Sequence, residues 1–265
     1  MTLSFSTTLC FIDDPKERRL KMIAGAFYIA KTKVNSTAQG DDAYFICGEK
    51  QTIGVADGVG GWAKLGVDPG EYARQLMINS LKAILVEPEG KINLKRVLNQ
   101  AFLDTNAKGS STACIINLKD HCLHVVNVGD SGFMLIRKRG GIYKSEIQQR
   151  SFNHPFQLGK LNADVLDSVQ QFKVDVEAGD ILIVGTDGLF DNMFENQIKD
   201  VAEKSTEEGI DPAQVARAVA ESAYQISLDK NATTPFMLAS SKSNRHRSGG
   251  KVDDITVIVA HIVHD

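Results

Sequence analysis

The stretch from Thr112 to Arg137, TACIINLKDHCLHVVNVGDSGFMLIR, decides the fold. It holds three apolar segments, Thr112 to Leu118, Leu123 to Val128 and Phe133 to Arg137. Turn residues at Lys119-Asp120 and Asp130-Ser131-Gly132 part them, so they read as consecutive antiparallel strands. Outward from this core, Ala43 to Ile46, Ile53 to Ala56, Ile181 to Val184 and Ile255 to Val263 read as further strands.

Helices take the intervals. Asp68-Pro69-Gly70-Glu71 offers an N-cap, a proline at the first helical position and an acid at the third. Ala73, Leu76, Met77, Leu81, Ile84 and Leu85 then fall on one face. Asn93 opens a second helix with Leu94, Val97, Leu98 and Ala101, and Asp211-Pro212 a third with Val215, Val219, Ala223 and Ile226. A shorter helix fits Glu195 to Lys204. Strands come in runs and helices in pairs, which is not βαβ alternation. The pattern predicts an α+β layered fold with an antiparallel sheet.

Composition sets the outer bounds. The chain has 265 residues, 43% hydrophobic and 24% charged, enough for a sizeable core. A net charge of −3 excludes a broadly basic nucleic-acid binder. No apolar run approaches the roughly 18 residues of a membrane-spanning helix. Cys10, Cys47, Cys114 and Cys122 stand singly with no C-x-x-C pair, as expected in a reducing compartment. The N-x-T sequons at Asn35 and Asn231 are then accidental. Residues 1–20 read as an N-terminal extension without the basic start of a secretory signal, and 21–265 as one domain. Ser240 to Lys251 reads as a mobile internal loop.

Aspartates recur at strand ends. Val55-Ala56 runs into Asp57-Gly58, Val128-Gly129 into Asp130, and Gly185-Thr186 into Asp187-Gly188, with Asp191 following. Asp253-Asp254 opens the last strand, and Asp41-Asp42 precedes Ala43. Any one of these is ordinary turn chemistry. Together, at strand ends side by side in one sheet, they would repel and take up protons unless a cation sat among them. Carboxylates without Cys or His clusters favour Mg²⁺ or Mn²⁺. Asp57-Gly58-Val59-Gly60-Gly61 lacks the ending of a P-loop, and Trp62 is read as covering that turn.

Seven segments carry a family resemblance: Gly40-Asp41-Asp42-Ala43; Gly54 to Trp62; Gly109-Ser110-Ser111-Thr112-Ala113; Val128 to Gly132; Phe152-Asn153-His154-Pro155-Phe156-Gln157-Leu158; Thr186 to Asp191; and Asp253-Asp254-Ile255-Thr256. In their order and spacing the chain resembles the type-2C metal-dependent protein serine/threonine phosphatases, most of all their compact branch from plants, fungi and animal mitochondria. The resemblance implies a four-layer αββα sandwich, two antiparallel sheets flanked by helix pairs. It implies two ions bridged by Asp57, with the Gly58 carbonyl, Asp41, Asp187 and Asp253 as further ligands. Asp57, Asp187 and Asp253 are then the catalytic core. A weaker third ion falls to Asp130 and Asp191. Asp42 and Asp254 would orient waters beside the ligands, and Thr186 and Ser111 would hold those loops by hydrogen bonds.

Two ions about 3.5–4 Å apart can share a water, lower its pKa and offset phosphoryl charge during in-line attack. The implied activity is hydrolysis of phosphoserine and phosphothreonine in phosphoprotein substrates. The expected setting is a soluble intracellular monomer, cytoplasmic or nuclear, alternatively in a plastid or mitochondrion. No nucleic-acid or membrane partner is expected. The alternative is a pseudophosphatase that keeps the fold and binds a partner without turnover. Two positions depart from the family pattern. Val59 stands where many members carry a histidine, and Thr37 where many carry a phosphate-holding arginine, with Lys33 the nearest upstream base. His154 is a weaker candidate proton donor.

Overall fold

The computed structural model describes residues 19–31, 40–88, 90–159 and 168–265. The extension expected at 1–20 lies almost wholly outside the described residues, as do Cys10, Lys33, Asn35 and Thr37. The chain opens with strands β1 (Leu20–Ile29), β2 (Asp42–Cys47) and β3 (Thr52–Asp57), then helices α1 (Pro69–Val86) and α2 (Leu94–Asp104). Strands β4 (Ala113–Lys119), β5 (Cys122–Val128), β6 (Gly132–Ile136) and β7 (Ile142–Lys144) follow, with a small hairpin of β8 (Gln149–Ser151) and β9 (His154–Pro155). Next come β10 (Gln170–Asp175), β11 (Ile181–Gly185), the single turn α3 (Asp187–Phe190), α4 (Glu195–Glu207), α5 (Pro212–Leu228), α6 (Pro235–Lys242) and β12 (Ile255–His264).

The expected helix starts hold. Asp68 accepts the Gly70 amide at 3.0 Å, Asn93 the Arg96 amide at 3.0 Å and Asp211 the Ala213 amide at 2.9 Å. Pro69 and Pro212 fill positions whose amides would have no helical partner. Leu85 departs from the predicted face of α1 and is exposed.

The strands form two five-stranded sheets, ordered β1-β12-β11-β6-β7 and β10-β5-β4-β3-β2. Alternation along each strand builds the layers. Cys114 and Ile116 of β4 enter the inter-sheet layer with Val55, Phe133, Leu182 and Ile258. Ile115 turns the other way, with Ala56 and Val126, onto Leu76 and Met77 of α1 and Val97 of α2. On the far side Met134, Ile183 and Val257 meet Ile198 of α4 and Val215 and Val219 of α5. The product is a four-layer αββα sandwich of antiparallel sheets.

One strand expectation fails. β4 and β5 pair as predicted, but β6 leaves them and pairs with β11 and β7 in the other sheet. The chain crosses at Gly129, whose φ of 99° suits glycine. A Cβ there would also lie 2.6 Å from the Phe156 carbonyl oxygen. The loop expected at Ser240 to Lys251 is also revised. It begins inside α6, Ser240 is buried, and its last residue enters the acidic cluster described next.

Candidate metal centre

At one end of the sandwich, strand ends of both sheets meet. Asp42 and Asp57 face each other across the β2–β3 ladder. Asp187 follows β11, and Asp253 and Asp254 lead into β12, which pairs with β11. Asp130 lies in the crossover from β5 to β6. The acids therefore come from both sheets, not from one as the sequence suggested. A single sheet's strands alone could not bring them together; the packing of the two sheets against each other does.

Hydrogen bonds fix the surroundings. The Thr186 and Thr256 hydroxyls each donate to Asp42 Oδ2 at 2.7 Å, tying the two sheets together. Asp254 is buried and accepts from the Tyr28 hydroxyl at 3.0 Å and from the Lys31 and Asp41 amides at 2.8 Å each. The Asp57 amide donates to Thr112 Oγ1 at 3.0 Å. The hydrogen-bonding role expected of Ser111 is corrected in kind. Its hydroxyl is buried without a partner, and its loop is held instead by backbone bonds with Leu158 at 2.9 and 2.7 Å. Gly58 donates its amide to the Asp41 carbonyl at 3.0 Å. It sits so close to α1 that a Cβ would lie 2.2 Å from the Pro69 carbonyl oxygen.

Two lysines share the charge. Lys31 Nζ lies 2.6 Å from Asp41 Oδ2 and 3.2 Å from Asp253 Oδ1. Lys251 Nζ bonds Asp187 Oδ2 and lies 2.8 Å from Asp191 Oδ2 and 3.2 Å from Asp253 Oδ2. Burial pushes the Asp57 and Asp130 carboxyls well above the usual range, with Asp187 the leading like charge on both. Burial raises Asp42, and Asp254 adds to it. Burial also lifts Asp41, and holds Asp191 at about 6 against the pull of Lys251. Asp253 goes the other way: burial opposes its charge, but Lys251 and Lys31 together lower it.

These residues fit a hard divalent cation. Asp42, Asp130 and Asp187 each keep a buried Oδ1 without a hydrogen-bond partner. All-oxygen donors suit Mg²⁺ or Mn²⁺. Among the described residues, no three His, Cys, Asp or Glu side chains yet close around a single point. The ammonium groups stand between them.

Relatives place the chain. The family profile described as Stage II sporulation protein E (SpoIIE) matches residues 73–263. Probable protein phosphatase 2C 55 of Arabidopsis thaliana is 46% identical over 92% of this chain and 52% of its own. The chain belongs to the type-2C protein phosphatase family. The human protein phosphatase PTC7 homolog is 36% identical over 83% of this chain and 79% of its own. The X-ray structure of the photosystem II phosphatase PBCP shares 30% identity at a TM-score of 0.81, covering 91% of this chain and 98% of that one. The catalytic domain of the phosphatase PstP, in complex with 2 manganese ions, shares the fold at 18% identity and a TM-score of 0.62, over 92% and 99% of the two chains. The chain spans about half the length of the Arabidopsis relative.

In this type-2C domain a cleft of about 400 Å³ opens over the acids, lined by Lys31, Asp57, Val59, His154, Asp187 and Lys251 among others. His154 is exposed on its rim, with Nδ1 donating to the Phe152 carbonyl at 2.9 Å. Trp62 covers its turn as expected, donating Nε1–H to Ser110 Oγ at 2.6 Å. The sequence reading missed Lys31 and gave Lys251 no place in the site. Lys251 carried a signal, since residues two apart on an extended approach share a face with Asp253. Lys31 did not: only the β1–β12 register, with Ile29 opposite Ile255, brings it level with Asp253.

Proposed function

We propose that this domain is a metal-dependent protein serine/threonine phosphatase acting on phosphoserine and phosphothreonine. The observation that carries the reading is the meeting of Asp57, Asp187 and Asp253, drawn from both sheets, at one cleft. Residues 21–265 act as one catalytic unit. Asp57, the Gly58 carbonyl, Asp41, Asp187 and Asp253 would hold two Mg²⁺ or Mn²⁺ ions. When bound, such a pair acidifies a shared water and offsets charge on the phosphoryl oxygens.

The chain's own residues position everything else. Thr186 and Thr256 fix Asp42, and Tyr28 with two backbone amides fixes Asp254, so the neighbours of the ligands are set before substrate arrives. With Asp41 and Asp253 neutralised, the Lys31 ammonium turns to the substrate phosphate and serves where the family's arginine is missing. Val59 offers no proton, so His154 and cleft water are the available donors to the departing oxygen. The substrates are phosphoproteins, and the working form is a monomer. The relation to a photosystem II phosphatase favours a plastid setting.

The test is hydrolysis of a phosphothreonine peptide by metal-stripped protein, with Mn²⁺ or Mg²⁺ returned. Turnover only with metal supports the reading. Metal binding without turnover moves the assignment to the pseudophosphatase. That second reading draws on the two lysines, which offset part of the acids' charge without any ion.

A further inference from the structure

Lys251 has no part in the chemistry above, yet it is among the most tightly held side chains of the site. Its amide donates to Asn192 Oδ1 at 2.8 Å, and its carbonyl accepts from Asn192 Nδ2 at 2.8 Å. Asn192 is itself fully buried and donates to the Gly188 carbonyl at 2.8 Å. The backbone of Lys251 is thus clamped on both sides. Its ammonium donates hydrogen bonds to Asp187 and Asp191 and forms an ion pair with Asp253 at 3.2 Å. The Phe236 ring closes the site, with its centroid 5.3 Å from Nζ.

That is the ground on which a third ion would have to stand. The third-ion position was expected at Asp130 and Asp191, but Asp191 Oδ2 is committed to Lys251. Asp130 is left with a buried Oδ1 that no group in the protein meets among the described residues. We propose that Lys251 is a covalently tethered occupant of the third cation position, so that the domain takes two divalent ions and not three. The inference rests on the two-ion reading of the site. With Asp187 and Asp253 claimed by the two ions, a dication entering beside Asp191 would still have to displace an ammonium paired with Asp191 and facing the Phe236 ring, on a backbone held by Asn192. A tethered cation is also present at unit stoichiometry whatever the metal supply, so the Asp191 side stays neutralised when free metal is scarce.

The experiment counts bound Mn²⁺ per chain by equilibrium dialysis and elemental analysis of metal-stripped protein. Wild type is expected to bind two. Lys251→Met keeps the side-chain length without the charge and is expected to bind three. Lys251→Arg, which retains a cation, is expected to bind two. Adding Asp191→Asn to Lys251→Met is expected to return the count to two. Three ions on wild type would overturn the proposal and leave the two-ion reading standing, because Lys251 would then have yielded. An unchanged count of two in folded Lys251→Met would overturn it as well. No ion on wild type would remove the two-ion reading itself. Should Lys251→Met not fold, the wild-type count still decides whether the third position is open.

Discussion

At the scale of single residues, the site depends on groups that no neighbour can replace. Asp57 feels the charge of Asp187, Asp42, Asp253 and Asp130, acids drawn from both sheets. Asp57→Asn should therefore abolish turnover while near-UV circular dichroism stays that of wild type. Wild-type turnover in that variant would sink the ligand assignment. Lys31 faces the cleft and pairs with Asp41 and Asp253, which metals would claim, and more distantly with Asp254 at 3.6 Å. Lys31→Ala should raise KM for a phosphopeptide more than it lowers kcat, which steady-state kinetics separates. An equal loss in kcat alone would place Lys31 in the chemical step. The acids were legible in the sequence because carboxylates at strand ends without matching cations are chemically conspicuous. Lys31 was not, because its partners are set by the β1–β12 register, and Lys251 carried only the weak signal of its spacing from Asp253.

At the scale of elements, helix α1 does more than cover a sheet. Its cap, Asp68, also pairs with Arg74 at 2.5 Å, and Arg74 donates to the Gly40 carbonyl at 2.8 Å. The helix start thus steadies the backbone just before Asp41. Asp68→Ala should cost about 1 kcal/mol of stability, as cap losses do, and should also weaken metal binding. Asp211→Ala removes a similar cap on α5, in the opposite helix layer, and should cost a similar amount with metal affinity unchanged. Urea unfolding and calorimetric titration of both variants would tell the two effects apart. The capped helices and the β4–β5 hairpin were readable because their signals are local. β6 was not, since its sheet is chosen by a glycine turn and by distant partners in β11. Beyond Leu20-Lys21-Met22, β1 (LKMIAGAFYI) shows no polar–apolar alternation in sequence, and β10 (QQFKVD) is a largely polar edge strand. Neither announces itself.

At the scale of the whole molecule, the acid cluster makes stability depend on pH and metal together. A carboxyl raised on folding stabilises the fold most below its unfolded value, and that contribution is lost as pH rises through the folded value. For Asp191 the window runs from 3.8 to about 6. Asp57, Asp130 and Asp42 act in the same direction. Asp253 is lowered and has the opposite sign: its contribution is present above 3.8 and lost as pH falls. The raised acids outnumber it. In EDTA, the melting temperature should fall as pH rises through the Asp191 window, from 3.8 to about 6, and Mn²⁺ should restore it at the upper end. A flat profile in EDTA would mean that the lysines already balance the cluster.

Because the proposed ligands stand on two sheets, a bound pair of ions would work like a rivet through two plates. Leu182 fills the layer between those plates and is fully buried. Leu182→Ala leaves a void, costs roughly 2–5 kcal/mol, and lets the plates shift against each other. Metal affinity should then fall in protein that is still folded, although no ligand has been touched. The coupling also runs in reverse. Loading the ions should slow hydrogen exchange in β3, β11 and β12 at once, so that catalytic readiness can be followed as a change in stiffness.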